Sequence, residues 1–295
     1  MTEVPQDIKK FAVEEAAKYK NIAIPLRSGI LRRAIVRNMD PMKLHPNPDD
    51  EFCDPTIGPN DEIISKYLYD IREAKKHNLP PFEEPLMVTR IHPDGYMLLN
   101  GHHRWAAALK SHMKQVPIEI INVAQVEDIR KMIDHSKHNK RVTLDLDEVV
   151  FVFDNQTAME NALHFPFNKI YKQRLKLGIP SLFYYLTTHD YDVWVYSANY
   201  YGLDYTRNLF KHYHTTLDGI ITGTGRKGIL DEKTRQKMKE MVEGHYQMTI
   251  HIDNNSLTCV NTDTKEFTDY ALSGSTETWA RDVVEIIKGL DKHEN

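Results

Sequence analysis

Cysteine is nearly absent from this chain of 295 residues: only two occur, Cys53 and Cys259, too few for the disulfide framework that staples small secreted domains. Long apolar runs are missing as well, and none approaches the roughly 20 residues of a membrane span. The opening MTEVPQDIKK has no apolar core of the kind a signal peptide carries. These absences lead to the expectation of a cytoplasmic protein with no membrane partner. Neither sign of charge dominates, since 38 Lys and Arg stand against 42 Asp and Glu for a formal net charge of −4. There is thus no general electrostatic pull toward nucleic acid or an anionic membrane, although a local basic groove stays open. Internal repeats and low-complexity tracts are also missing. What is present is length for two domains of ordinary size, with 41% hydrophobic content to give each a core. The polar run IDHSKHNKR (133–141) marks the expected boundary, giving domains over 1–138 and 139–295, and VAQVEDIRKMI before it has helical spacing.

The most informative segment is RVTLDLDEVV, where an apolar strand pattern ends on Asp145 and Asp147. An apolar strand of a parallel sheet is buried on both faces, and its carboxyl end opens into the crevice where α/β proteins bind ligands. Continued as a strand, the pattern puts both carboxylates on one face and Leu146 on the other. Carboxylates crowded together repel unless a hard cation neutralises them, and Mg²⁺ takes one or two carboxylates together with phosphate oxygens and waters. One Asp is then placed to attack phosphorus while the other handles the proton. For an isolated pair of this kind, a surface turn with two solvated acids is the commoner explanation.

Three further segments shift that balance. YDVWVYSAN is a second strand pattern, ending on Ser197, whose hydroxyl suits a phosphate oxygen. GTGRKG (223–228) is a basic, Gly-punctuated loop ahead of a helical stretch, and TIHIDNNS ends a third strand on Asp253 and Asn254. The order DLDEVV, KLGIPSLFYYL, VWVYSAN, IHIDNNS resembles the haloacid dehalogenase superfamily, most closely its RNA polymerase C-terminal-domain phosphatases, over about residues 140–295. The resemblance implies a Rossmannoid α/β domain with a mostly parallel sheet and a Mg²⁺-dependent phosphatase. It makes Asp145 the nucleophile and a metal ligand, Asp147 the general acid and base with its carbonyl on the metal, Ser197 a phosphoryl-binding group and Asp253 the remaining metal ligand. The catalytic lysine falls to Lys227, after the Gly loop, ahead of the competing Lys233. Val149 stands where that branch has Thr, and Asn254 where many relatives have a second Asp.

The first half carries its own signal in GYMLLNGHHRWAAAL, where an apolar strand stops at Asn100-Gly101 before a helix pattern opening with His102, His103 and Arg104. A glycine that admits an anion closely, free N–H groups at a helix start and an arginine fork form a phosphate cradle in outline. Taken singly, each histidine is more often structural. The block resembles the ParB and sulfiredoxin superfamily, and within it the free serine kinases with their DGHHR motif, over about residues 30–125. That resemblance implies an α+β domain binding nucleotide or phosphate, ATP or ADP in a kinase. His102 replaces the nucleophilic Cys of sulfiredoxin, and no helix-turn-helix pattern follows, so sequence-specific DNA binding is disfavoured. Asn100 replaces the kinase Asp, and Glu51 is the candidate for the kinase Glu. Tyr200 and Tyr201, just after Ser197, are candidates to flank a substrate.

The sequence reading is therefore an α/β protein, a ParB/sulfiredoxin-like domain followed by a haloacid dehalogenase-like domain. The activity this reading leads to expect is that of a phosphatase on a phosphorylated small metabolite, nucleotide, nucleic-acid end or protein. A bifunctional kinase-phosphatase is the second reading, and a nucleotide-sensing or nucleic-acid-binding protein with a degenerate phosphatase domain the third.

Overall fold

Asp7 accepts the backbone N–H of Lys10 and so starts helix α1 (Ile8–Tyr19), which buries Ile8, Ala12, Ala16 and Tyr19, the three- and four-residue spacing of one helix face. The structure is a computed structural model and describes residues 7–154, 156–224, 232–262, 264–272 and 275–294. The chain packs as two compact units, the first spanning Met1–Val123 and the second holding Ala124–Gly225 and Glu232–Asn295.

In the first unit α1 is followed by β1 (Ile24–Leu26), α2 (Ile30–Arg33), β2 (Arg37–Met39), β3 (Leu44–His45), α3 (Asp61–His77), β4 (Leu86–His92), β5 (Tyr96–Asn100), α4 (His102–Lys110) and β6 (Val116–Ile120). The sheet runs β2-β6-β4-β5-β3, with β1 also paired to β4. Strands β4 and β5 are antiparallel across the Asp94-Gly95 turn, where Gly95 takes a φ of +76° that side chains disfavour. Trp105 on α4 is fully buried, and its indole N–H finds the Pro41 carbonyl at 2.8 Å, as a buried indole must.

The second unit contains α5 (Val126–Asp134), β7 (Lys140–Asp145), β8 (Phe151–Val152), α6 (Phe167–Ile170), β9 (Arg174–Leu175), α7 (Ile179–Thr188), β10 (Tyr191–Ser197), α8 (Leu203–His212), β11 (Gly219–Thr222), α9 (Glu232–Glu243), β12 (Met248–Ile252), β13 (Ser256–Asn261), β14 (Phe267–Ala271) and α10 (Trp279–Glu294). Its main sheet has the order β11-β10-β7-β12-β13-β14. The first four strands are parallel, and β13 and β14 extend the sheet antiparallel. Strand β7 lies between two parallel neighbours, so Val142 and Leu144 are buried. Helix α7 packs on β10 and α10 on α7, while α5 packs on α9 and β11. That last contact explains why the packing boundary falls at Val123 and Ala124 and not in the polar run 133–141. Helix α5 buries Ile129 and Met132 in the second unit. Among the described residues, no helix is long and apolar enough to cross a membrane.

Gly219 on β11 is sterically required: a Cβ there would lie 2.0 Å from the ring of Trp194, which is fully buried and has nowhere to move. Gly219→Ala is expected to lower the stability of the second unit by about 1–3 kcal/mol. Gly289 on α10 has nothing within 4 Å of such a Cβ, and Gly289→Ala should raise stability by up to about 1 kcal/mol through helix propensity. Denaturant midpoints of the two variants would move in opposite directions.

Candidate active site

Strand β7 ends on Asp145, and the chain turns at once into a π-helical segment, Leu146–Val150, capped by the Asp145 side chain. One carboxylate oxygen, Oδ1, accepts the N–H of Asp147 at 2.7 Å and that of Glu148 at 3.0 Å. The other oxygen has no hydrogen bond among the described residues. This turn, and not a continued strand, sets the relation of the two acids. It sends Leu146, Val149 and Val150 into the core and leaves Asp147 partly exposed.

Both oxygens of Asp147 are engaged. Ser197, fully buried at the end of β10, places its hydroxyl 2.5 Å from Asp147 Oδ2 and accepts the Asn199 N–H at 2.9 Å. Tyr201 donates its hydroxyl to Asp147 Oδ1 at 2.6 Å. Burial, then the bonded Asp147 carboxylate, pushes the Tyr201 phenol well above its usual range, so it stays a donor. The serine expected to hold a phosphate oxygen thus spends its hydroxyl on the neighbouring acid. Of the two tyrosines proposed to flank a substrate, Tyr201 grips Asp147. Tyr200 is buried, its ring so close to Gly223 that a Cβ there would meet it at 2.2 Å.

On the other side of β7, Ile252 of β12 pairs with Leu144. The next positions along these two adjacent strands are Asp253, just past β12, and Asp145, the last residue of β7. Asn254 follows. Its amide donates to the Glu148 carbonyl at 2.6 Å and accepts from Lys176 Nζ at 2.8 Å. Lys176, just after β9, is 5% exposed, and its ammonium lies 3.8 Å from the ring centre of Trp279. Burial pushes this lysine down to about 8, against the opposing pull of Asp253. A cavity of about 410 Å³ opens beside these groups, lined by Asp147, Phe153, Lys176 and Asn254 among others.

Lys176 was not among the candidate lysines. Lys227 lies outside the described residues, and Lys233 is exposed on α9. The signal was nonetheless present: a lysine between Leu175 and Leu177, two residues ahead of Gly178 and the apolar run that follows it. Among the described residues no group of three or more His, Cys, Asp or Glu side chains is gathered to hold a metal ion. The set at the end of β7 is smaller: the carboxylates of Asp145 and Asp253 and the carbonyl of Asp147. Oxygen donors in that number fit Mg²⁺, which fills its remaining positions with phosphate oxygens and water.

The block Gly101 to Arg104 is arranged differently from the open cradle read in the sequence. Gly101, with φ +98°, precedes α4 without a side-chain cap. A Cβ there would lie 3.2 Å from the Arg104 guanidinium. His102 is buried, and its Nε2 accepts the Asn47 N–H at 3.1 Å. His103 accepts the Asn60 N–H at 3.1 Å and meets Phe52 edge-on at 5.0 Å; burial lowers its pKa. Arg104, 8% exposed, donates to the Glu84 carbonyl at 2.6 Å and the Pro85 carbonyl at 3.3 Å. Glu51 is exposed, and the acid beside this block is Asp50, 3.5 Å from His102. These side chains brace the loops over 47–60 and 84–85. Arg104→Ala, which strands two carbonyls, is expected to destabilise the first unit by about 1–3 kcal/mol. Arg104→Lys should recover only part of that, since an ammonium cannot reproduce the fork; thermal unfolding would measure both.

No protein-family model and no curated protein matches this chain. Among solved structures it is similar to the C-terminally truncated chromosome-partitioning protein ParB from Caulobacter crescentus complexed with CTP-gamma-S. The identity is 24% over 36% of this chain and 56% of that one, with a TM-score of 0.25. The same partitioning protein complexed to the centromeric parS site is matched at 22% identity over 35% of this chain and 50% of that one, with a TM-score of 0.22. This chain thus spans about half the length of the structures it matches.

Proposed function

We propose that the second unit is a phosphatase of the haloacid dehalogenase type, hydrolysing a phosphate monoester through an aspartyl-phosphate on Asp145. The observation that carries this reading is the state of the two acids. One oxygen of Asp145 is pinned by backbone N–H groups and the other is open, while Asp147 beside it is held by two hydroxyls. The open oxygen attacks phosphorus, the bond from phosphorus to the leaving oxygen breaks, and Asp147 in its protonated form gives that oxygen a proton. Asp147 then takes a proton from water, which attacks phosphorus, breaks the bond to Asp145 and releases phosphate. Ser197 and Tyr201 keep the Asp147 carboxylate in place. Lys176 supplies the cation that balances the phosphate. Asp145, Asp253 and the Asp147 carbonyl would hold Mg²⁺, which when bound adds charge stabilisation at the phosphate oxygens.

For the first unit we propose nucleotide or phosphate binding, with ATP or ADP as the ligands implied by its GHHR motif. A kinase centred there has less support, because Arg104 is committed to backbone carbonyls.

The decisive experiment is phosphate release from a panel of phosphate esters, with and without Mg²⁺, by the wild type and Asp145→Asn. Release should fall to background in the variant, and full retention of activity there would overturn the proposal. Chelation of divalent cations should abolish release, and added Mg²⁺ restore it. Asp147→Asn should lower kcat by ~10²–10⁴-fold, the range of general acid–base catalysis. Lys176→Met should lower kcat/KM by ~10²-fold, as loss of one preorganised charge partner does.

A further inference from the structure

Resting on that phosphatase reading, we propose that the ester handled at Asp145 is a nucleoside monophosphate, its base seated against Phe153 in the cavity beside Asp147. The cavity measures about 410 Å³; pockets of roughly 300–1,000 Å³ bury whole small molecules, so a bare phosphate leaves most of it unfilled. Phe153 lines it with 68% of its surface exposed. It sits edge-on to the buried Phe151, ring centres 6.5 Å apart, so one aromatic is anchored in the core and the next is presented to the cavity. An exposed phenylalanine at the lip of a polar site gains most from a flat partner, and every base offers a π-face. Of the other two aromatics of the lining, Phe151 is buried and Trp279 is already covered by Lys176.

Polar groups complete the match. Asn255 and Thr276 line the same cavity, and their side chains make no hydrogen bond among the described residues. An amide that both donates and accepts suits a base edge, and a hydroxyl suits a ribose. Glu148 and Asp154 also face the cavity. Their carboxylates oppose any phosphate beyond the one placed at Lys176, which selects a monophosphate over a diphosphate or a nucleic-acid strand.

The test compares kcat/KM of the full chain with Mg²⁺ for nucleoside monophosphates, nucleoside diphosphates, ribose 5-phosphate, a phosphoserine peptide and acetyl phosphate. Nucleoside monophosphates should exceed ribose 5-phosphate and the peptide by ~10-fold or more, with little preference among bases, as stacking is sequence-tolerant. Diphosphates should be poorer. Phe153→Ala should erase most of the nucleotide's advantage over ribose 5-phosphate, mainly through KM, and Asn255→Ala part of it. Equal kcat/KM for ribose 5-phosphate, a preference for the peptide, or an undiminished advantage in Phe153→Ala would overturn the inference while leaving the phosphatase in place. Absence of turnover with every compound, acetyl phosphate included, would overturn the phosphatase reading and this inference with it.

Discussion

Strand β7 is hydrogen-bonded in parallel on both sides, to β10 and to β12, and the polar edge of the second unit depends on that arrangement. A strand so placed is buried along its length, and a polar residue in its middle, such as Thr143, has to find a partner there, as it does in His251 at 2.6 Å. Parallel registration also brings the ends of three strands to one edge, so that residues 145, 197 and 253, far apart in the chain, become neighbours. Tyr196 pairs with Asp145 on one side, and Ile252 with Leu144 on the other. Each strand contributes one or two polar groups where its pairing stops, and the crevice forms because the chain has to leave the sheet there.

Those polar groups are costly to bury singly, and the structure pairs nearly all of them. Asp147 is met by two hydroxyls, and Lys176 by the Asn254 carbonyl oxygen and the face of Trp279. The Trp279 indole in turn donates to the Asn254 backbone carbonyl at 3.0 Å. Asn254 is the hinge of this arrangement, linking the lysine, the π-helical turn and the last helix. The Asn254 amide both gives and receives a bond, to the Glu148 carbonyl and from Lys176, which a carboxylate cannot do.

In the first unit the side chains of the GHHR block also hold packing together. Two histidines and an arginine at a helix start all reach backbone groups of neighbouring loops. The glycine before them serves both a left-handed backbone and the space taken by the guanidinium. A second polar network joins His45 to Glu15 at 2.9 Å and to Tyr19 at 3.1 Å, tying α1 to the sheet. Both networks hold distant segments together through side-chain contacts of long sequence separation.

The sequence by itself determined the α/β class, the strands ending on Asp145 and Ser197 and the one that stops just before Asp253, the helix after Gly101 and the presence of two packing units. These follow from local periodicity and from abrupt changes between apolar and polar residues, which each segment carries within itself. The tertiary structure alone decided the rest. Strand pairing brought Lys176 to the site from a segment that reads as core. The π-helical turn, not a strand, oriented Asp147. Packing took Tyr200 into the interior and turned Tyr201 toward the acid, two adjacent residues of one type with opposite fates. Helix α5 joined the second unit because its apolar face found α9 and β11, a partnership invisible to its own spacing. Side-chain partners of this kind lie tens of residues away, as with Lys176 and Asn254 or Arg104 and Glu84. A pattern read over a few residues says what can be buried, but not against what.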